Sequence, residues 1–462
     1  MQTFIPVSLI VAISVGVASP AWSQVVPPAQ RPLTLPQQAG AALELTLESA
    51  ITRGLAHHVA ALVAEADVKA AEGRRWNALS ALLPQVDAQG SALRQKINLA
   101  AFGFRAPGFP DVIGPFNVYD GRLHVSQAIV DVAALNRSRG EAVALDAARH
   151  GERDARRVVA LVVTSLYLES LASASRIEAG RAELATATAL QTLAEDLRKA
   201  GLAPRIDVLR AQVQLETVEQ RQIALENAFE KSKLALAQAI GLMPLTQPIV
   251  LADRLAFVPA ASISFEAALG RAQVERADLR AAESRIAERE VKLRAEREWR
   301  LPTLHVDANY GSIGGTLGLM RPTYSAIAAV SVPLFNGEAG HARVLGADAE
   351  LQRAQAEADD LRRRVAYEVQ VALLDLQAAE RQVQVASHTV ELATEQQTQA
   401  EDRFKAGVAN NLELVQAQAA LAAAHDAYIA GVSAHNLAKV GLARAIGIPE
   451  QTFPQFIAGA TP

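Results

Sequence analysis

Residue types that could carry chemistry are few in this chain and do not form a recognisable reactive group. There are nine His, three Met and no Cys, which excludes disulfides, thiolate metal sites, a Cys nucleophile and a lipid anchor on an N-terminal Cys. His57 and His58 are adjacent, so on a helix they point about 100° apart and cannot readily share a metal. No Ser-His-Asp order, paired-carboxylate site or phosphate loop is found. The sequence therefore predicts no enzyme activity, no cofactor and no metal site.

Two carboxylates, Asp207 and Glu413, draw attention because they occupy equivalent places in a repeated segment. Glu195 begins the stretch E-D-L-R-K-A-G-L-A-P-R-I-D-V-L-R-A-Q, and Glu401 begins E-D-R-F-K-A-G-V-A-N-N-L-E-L-V-Q-A-Q. The offset is 206 residues, eight of the 18 positions are identical, and Asp207 corresponds to Glu413. A unit of this length is too long for a solenoid or propeller repeat. The sequence therefore predicts two copies of a whole structural half.

Very long helices must position these carboxylates. Stretches without proline, from about 132 to 200 and from about 342 to 406, predict helices of roughly 100 Å each at 1.5 Å rise per residue. Gly201 and Gly407 end them, as expected of residues that take a positive φ, and a returning helix of about 37 residues follows each glycine.

The second long helix carries the spacing of a coiled-coil seam, with steps of four and three residues. The positions are Val365, Val369, Ala372, Leu376, Ala379, Val383, Ala386, Val390, Ala393, Gln397, Ala400 and Phe404. The pattern is weaker in the first half, where Ser170, Ser173 and Gly180 fall on it. Ala-rich and Leu-rich composition also favours long helices that pack closely.

A shorter helix and a pair of strands come before each long helix. Helical patterns from about 45 to 83 and from 264 to 301 stop at Pro84 and Pro302, because proline disfavours helix in the residue before it. Alternating strands of about 10 to 12 residues follow, the length of a tilted membrane-spanning strand.

Polar and apolar side chains alternate along these strands. One side of a strand in the second pair carries Leu304, Val306, Ala308 and Tyr310, and the other carries His305, Asp307 and Asn309. We expect no other sheet in the chain against which the strands could pack. Four strands cannot close a barrel within one chain, and open edges are not tolerated in lipid. Membrane insertion would therefore require an oligomer.

The beginning of the sequence predicts export. An apolar run over 7–17, followed by small residues at Ala21 and Ser23, is typical of a signal peptide cleaved before Gln24. The predicted organisation is then a signal peptide (1–23), a Pro-rich segment (24–44), a first repeat (45–242, with its β-hairpin near 85–130), a linker (243–263), a second repeat (264–448, with its hairpin near 303–335) and a C-terminal tail (449–462).

The order, spacing and duplication of these pieces resemble the TolC-like outer membrane efflux proteins over essentially all of the mature sequence. The match is carried by the two glycine-turn segments, by the stretch V-S-V-P-L-F-N-G at 330–337 and by its counterpart V-S-Q-A-I-V-D at 125–131. The resemblance implies a homotrimer with an all-α coiled-coil barrel and a transmembrane β-barrel of twelve strands. It also implies a location in outer membrane lipid with a tunnel into the periplasm, and partners in a periplasmic adaptor and an inner-membrane transporter.

Individual sites are implied by the same resemblance. Gly201, Leu202, Gly407 and Val408 would form the periplasmic tips that contact the adaptor. Relatives carry acidic residues six and nine positions after the second glycine, around the pore constriction. Here those positions are Glu413 and Gln416, so one acid is kept and one is absent. Asp207, the first-half equivalent of Glu413, also belongs to the predicted constriction region, where it would make tip hydrogen bonds.

Two other functions stay open on the sequence alone. The outer membrane channel of a type I protein secretion system shares this fold, so the transported substrate is undetermined. A periplasmic coiled-coil structural or adaptor protein would also be helical, although adaptors have one hairpin flanked by small β-domains. A net charge of -4 does not indicate the basic surface that binding to nucleic acid requires.

Overall fold

A computed structural model describes residues 42–459, apart from 105, 106, 109, 245, 246, 336, 407, 409 and 410. The predicted signal peptide and most of the Pro-rich segment lie outside the described residues. The α-helices are α1 (Leu47–His57), α2 (Val59–Ser80), α3 (Val132–Lys199), α4 (Arg205–Ala239), α5 (Phe265–Glu275), α6 (Ala277–Arg297), α7 (Ala339–Lys405), α8 (Asn411–Ala445) and α9 (Phe453–Ile457). The strands are β1 (Leu43–Leu45), β2 (Gln85–Asn98), β3 (Val112–Val130), β4 (Ile249–Leu251), β5 (Thr303–Gly314) and β6 (Arg321–Ser331).

The four longer strands form one antiparallel sheet in the order β2-β3-β5-β6. The register gives an apolar row of Ala88, Leu123, Tyr310 and Tyr324, and beside it on the opposite face a polar row of Asp87, His124, Asn309 and Ser325. β2 and β6 lie at the two edges, and nearly all of their residues are exposed. The sheet therefore has two different faces, and no part of the described chain covers its outer strands. The first hairpin spans the predicted range near 85–130, but its strands, at 14 and 19 residues, are longer than the predicted 10 to 12.

Hydrogen bonds between side chains cross the polar face of this sheet. The Nε of Arg122 donates to Asp120 Oδ1 at 2.7 Å, and its Nη1 donates to Asn309 Oδ1 at 3.0 Å. Asn309 Nδ2 in turn lies 2.6 Å from Ser325 Oγ. Gly311 lies opposite Arg122, and a Cβ there would come within 2.3 Å of the arginine Cβ. The absence of a side chain at Gly311 therefore leaves room for the side chain of Arg122 on this face of the sheet.

Each long helix is covered by shorter helices. α3 packs against α2, α4 and α6 and, less extensively, against α8, and α7 packs mainly against α8 and α6. Ten of the twelve predicted seam positions of α7 are buried, the exceptions being Val390 and Gln397. One stretch of α3 is long and apolar enough to cross a membrane by composition alone, but 56% of it is buried within the chain, as in the core helix of a bundle.

The shorter helices differ from the prediction in one respect, because each is broken in two. His58 separates α1 from α2 with φ -70° and ψ 129°, and Arg276 separates α5 from α6 with φ -69° and ψ 121°. The prediction of one continuous helix over 45–83 and another over 264–301 was therefore wrong. Neither break contains proline or glycine, and a single extended residue hardly disturbs the apolar spacing, so the sequence pattern does not reveal it.

A second difference is a small parallel sheet in which β1 pairs with β4. It places part of the predicted linker beside the boundary between the predicted Pro-rich segment and the first repeat, and the expectation that no other sheet exists was wrong. The tail is also structured, because Phe453 and Phe456 of α9 are buried in the main apolar core. These segments have no strong periodicity of their own, and long-range packing decides their structure.

Arg276, at the break between α5 and α6, is the centre of a buried ionic cluster. Only 2% of its side chain is exposed, and it forms contacts of 2.6 Å with both Asp278 and Glu368. Its Nη1 also lies 3.3 Å from the carbonyl oxygen of Ala445, at the end of α8. Burial alone would raise the pKa of Asp278, but hydrogen bonds and charge from Arg276 hold that pKa below its ordinary value. One guanidinium thereby joins α6, α7 and α8.

Replacement of Arg276 should strongly destabilise the fold. Arg276→Met would leave the carboxylate of Asp278 without its partner, and loss of one member of a buried pair costs about 3–5 kcal/mol. The measurement is thermal or denaturant unfolding of the detergent-solubilised protein. Arg280→Met is the matched control, since that arginine is exposed and pairs with Glu283 at 3.6 Å, and it should cost less than about 1 kcal/mol.

The difference in unfolding stability between wild type and Arg276→Met should depend on pH. Because the folded pKa of Asp278 is depressed, its stabilising contribution is complete above the unfolded pKa, near 3.8, and is lost as pH falls through the lower folded value. The difference between wild type and Arg276→Met should therefore be largest near neutral pH and shrink as pH falls toward the depressed pKa of Asp278, because burial makes the unpaired carboxylate of the variant protonate at a higher pH. Equal stabilities of the two arginine variants at neutral pH would contradict the role given to Arg276.

Candidate functional site

The ends of α3, α4, α7 and α8 meet in one apolar cluster, which we call the tip cluster. Its buried members are Leu190 and Ala194 of α3, Val208 and Ala211 of α4, Ala400 and Phe404 of α7, and Leu414 and Ala417 of α8. Both helical hairpins contribute equally to this cluster. The two turns that the sequence analysis singled out are therefore neighbours in space, although they lie 206 residues apart in the sequence.

The turn after α3 has the geometry of a Schellman helix end. Gly201 has φ +75°, its N–H donates to the Arg198 carbonyl at 2.9 Å, and the N–H of Leu202 donates to the Leu197 carbonyl at 2.8 Å. A Cβ on Gly201 would meet nothing within 4 Å. The requirement for glycine therefore comes from the backbone angle and not from crowding.

The turn after α7 has an equivalent hydrogen bond. The N–H of Val408 donates to the carbonyl of Arg403 at 3.0 Å, and this bond closes a turn of six residues, as the bond from Leu202 to Leu197 does in the first turn. Gly407 itself lies outside the described residues. The side chains of Leu202 and Val408 are 76% and 68% exposed. Each turn thus presents one apolar side chain to the surroundings at the end of the molecule.

Asp207, in the first turn of α4, is buried beside the tip cluster. Its Oδ1 lies 3.3 Å from Nη1 of Arg210, and its backbone carbonyl accepts a hydrogen bond of 2.9 Å from Nδ2 of the buried Asn411. The Asn411 contact joins the start of α4 to the start of α8. Asp207 therefore lies within the packed tip, with its charge held by an arginine of its own helix.

Glu413 has a different environment from its first-half equivalent. Its side chain is 45% exposed, and its Oε1 lies 3.0 Å from Nε of Arg403 at the end of α7. Gln416 is also exposed and lies three residues further along α8, so the two side chains share one side of that helix. Leu414 and Ala417 point instead into the tip cluster.

Comparison with known proteins identifies the family. A sequence model described as "Outer membrane efflux protein" matches residues 51–242 and 268–448. The chain belongs to the outer membrane efflux protein family. The resemblance to TolC-like channels, the outer membrane location and the efflux function predicted from the sequence are thereby confirmed.

Individual relatives agree with this assignment. The chain is 28% identical over 454 residues to the pyoverdine export outer membrane protein OpmQ of Pseudomonas putida, covering 94% of this chain and 93% of OpmQ. A crystal structure of a membrane protein from Pseudomonas aeruginosa superposes with a TM-score of 0.76 at 20% identity and covers 87% of this chain and 93% of that one. The CmeC outer membrane channel of Campylobacter jejuni gives a TM-score of 0.75 at 16% identity and covers 87% and 85%. The helical barrel with a β-domain is thus the fold of this efflux protein.

Further from the tips, a charged cluster joins the two helical hairpins of this efflux protein, α3–α4 and α7–α8. Arg221 of α4 contacts Asp426 of α8, and its Nη1 lies 3.3 Å from Oε2 of Glu183 on α3. Burial raises the pKa of Glu183, and the charge of Arg221 opposes that shift. The cluster borders a cavity of about 210 Å³ between the helices. Among the described residues, no three His, Asp or Glu side chains are grouped so that they could hold a metal ion.

The sequence analysis found both tip turns and both acidic positions, but it missed their partners. Arg403, Arg210 and Asn411 form the contacts that decide the surroundings of Glu413 and Asp207. The Arg210 contact has the spacing of neighbouring residues on one helix and was detectable. The other two join separate helices, so no spacing rule points to them.

The Schellman geometry predicts how the first tip turn responds to substitution. Gly201→Val forces a β-branched residue into the left-handed region, at a cost of roughly 1–2 kcal/mol. The amide of Leu202, which donates across this turn, should then exchange its hydrogen about tenfold faster. Mass spectrometry of deuterium uptake measures this. Gly201→Asn should have a smaller effect because asparagine tolerates that region, and equal protection in both variants and the wild type would refute the need for glycine.

Proposed function

We propose that three copies of this chain form the outer membrane exit duct of a tripartite efflux system. The observation that carries the proposal is the four-stranded sheet with two open edges, β2 and β6. In lipid each backbone polar group needs a partner, so the edges must pair with neighbouring copies until a barrel closes. Three copies supply twelve strands, and the helices below them supply the wall of a periplasmic tunnel.

The two faces of the sheet support the same arrangement. The exposed Tyr324 and Val330 of β6 and their apolar row partners would face lipid, whereas Arg122, Asn309 and Ser325 would face a water-filled lumen. A lipid-facing arginine near the middle of a membrane strand costs about 2–4 kcal/mol, so the opposite orientation of the sheet is strongly disfavoured.

We also propose roles for the tips. The exposed side chains of Leu202 and Val408, which directly follow Gly201 and Gly407 in the sequence, would contact a periplasmic adaptor that is itself coupled to an inner-membrane transporter. Single exposed apolar residues are common on protein surfaces. Here two of them occupy equivalent turns at the same end of about 100 Å of helix, which is the end furthest from the sheet.

The exposed side of α8 at the tip would line the pore constriction. Glu413 and Gln416 would face the three-fold axis, and Asp207 would support the tip from within the packed helices. Three carboxylates converging on a narrow passage influence which ions pass.

The proposed substrates are small toxic compounds. OpmQ, which is similar over nearly the whole chain, is described as a pyoverdine exporter, and this favours export of small molecules over protein secretion. A channel for a type I secretion system stays the alternative. Transport assays with purified substrates, or identification of the transporter encoded with this chain, would distinguish small-molecule efflux from protein secretion.

The first test concerns assembly. Protein extracted from outer membranes in mild detergent should have the mass of a trimer, measured by native mass spectrometry or light scattering. The physical reason is that a monomer leaves both sheet edges unpaired. A stable monomer, or recovery of the whole protein from the soluble periplasm, would overturn the proposed duct.

A second test concerns coupling at the tips. Replacing Gly201 and Gly407 together by Val should impair efflux, because the distorted turns would move Leu202 and Val408 away from the adaptor. The readout is sensitivity of cells to exported compounds, with trimer in the membrane confirmed in parallel. A Gly441→Ala variant, at a helical site where a Cβ meets nothing within 4 Å, serves as the control. Normal efflux by the double glycine variant would show that the tips do not dock the adaptor.

A further inference from the structure

The formal charges of the tips nearly cancel within each copy of the repeat. The stretch 195–210 has four basic and three acidic residues, and the stretch 401–416 has two basic and three acidic residues, so the two stretches together carry no net charge. In both copies the acid that lies six residues after the glycine, Asp207 or Glu413, is paired with an arginine. The two arginines, however, occupy different places in the repeat.

In the second copy the pairing spans the turn. Arg403 belongs to the last turn of α7 and Glu413 to the first turn of α8, and their Nε and Oε1 atoms are 3.0 Å apart. The carbonyl of Arg403 also accepts the hydrogen bond from Val408 that closes the turn. The arginine is therefore fixed at its backbone by the turn and at its side chain by the carboxylate.

In the first copy the corresponding arginine is absent. Leu197 occupies the place equivalent to Arg403 and packs against the tip cluster. Asp207 pairs with Arg210, whose equivalent in the second copy is Gln416. Asp207 is 7% exposed, whereas the side chains of Glu413 and Arg403 are 45% and 56% exposed. Of the two pairs, only the second has both of its side chains substantially exposed beside α8.

We propose that Arg403 is a selectivity-determining residue that neutralises Glu413 at the pore constriction. The inference rests on the proposed function, which places Glu413 on the three-fold axis. Three Glu413 carboxylates alone would form an anionic ring that favours cations. Three Arg403 guanidinium groups beside them make the ring nearly neutral, so the constriction admits anionic and neutral solutes without a large electrostatic barrier.

The test is a double-mutant cycle on purified trimers in planar bilayers, with reversal potentials measured across a tenfold KCl gradient. Arg403→Leu, which copies the first half of the chain, should raise the K⁺/Cl⁻ permeability ratio at least about threefold. Glu413→Ala should lower that ratio by a similar factor because it leaves the arginines uncompensated. The double variant should return to within about a factor of 1.5 of the wild type, since the two changes cancel.

Two further variants keep the test interpretable. Arg403→Lys retains the charge and should retain wild-type selectivity, which separates charge from side-chain shape. Lys405→Leu is the matched control: its Nζ pairs with Glu401 at 2.6 Å, and it lies two residues from Arg403, on nearly the opposite side of α7. It removes one positive charge at the same height but away from Glu413, and it should change the ratio by less than about 1.5-fold.

The outcomes separate this inference from the proposed function. A change of selectivity with Glu413→Ala but none with Arg403→Leu would overturn the neutralisation while keeping Glu413 at the constriction. Unchanged selectivity in all variants, with normal conductance, would remove both residues from the passage. An equal effect of Lys405→Leu and Arg403→Leu would mean that overall tip charge, and not the Arg403–Glu413 pair, sets selectivity. If Arg403→Leu does not assemble as a trimer, Arg403→Gln gives the same readout.

Discussion

A β-sheet in lipid must pair all of its backbone N–H and C=O groups, and the rest of this molecule depends on how that requirement is met. Within one chain the order β2-β3-β5-β6 satisfies the two inner strands and leaves the outer strands open. The cost of each unpaired group in hydrocarbon is several kcal/mol. A sheet of this kind is therefore an incomplete structure, and its completion requires further copies. In the proposed barrel, the polar network around Arg122 lies on the side of the sheet that lipid does not reach.

The helical part is organised by close approach of backbones. Along α7 the buried seam is mostly Ala and Val, and along α3 the apparent interruptions Ser170, Ser173 and Gly180 are buried as well. A Cβ at Gly180 would come within 2.5 Å of Gln222 Oε1 on α4. Small residues thus fulfil in the first half the role that apolar residues fulfil in the second. The hydroxyl of Ser170 donates back to the Leu166 carbonyl, so its burial leaves no donor unsatisfied.

Segments without a periodic pattern are fixed by polar contacts at the end of α8. Lys439 is fully buried, and its Nζ donates to the carbonyl oxygens of Val258 and Ile457 at 2.9 and 2.8 Å. Asn436 Nδ2 donates to the Ala256 carbonyl at 3.1 Å. Burial lowers the pKa of Lys439. These bonds hold the linker and the C-terminal segment to the same helix, and the apolar contacts of Phe453 reinforce them.

The sequence by itself determined the large-scale plan. Proline positions, alternation and glycine turns located both hairpins and both long helices, because each of these signals acts over a few neighbouring residues, and the duplication showed that the same arrangement occurs twice. The bounds of α3 and α7 agree with the predicted ranges to within three residues at each end. The alternation also gave the correct faces of the sheet, since a strand with a period of two allows only one division of its side chains.

Only the tertiary structure decided the charge environment of the tips and the breaks at His58 and Arg276. Arg403 meets Glu413 across a turn, and Asn411 meets the Asp207 carbonyl from another helix. Contacts of this kind depend on how separate elements are brought together, and no local spacing encodes them. The same holds for Arg276, which interrupts the helix at the point where its guanidinium reaches Asp278 and Glu368. Buried charges are stable only with such partners, and the partners come from distant parts of the chain.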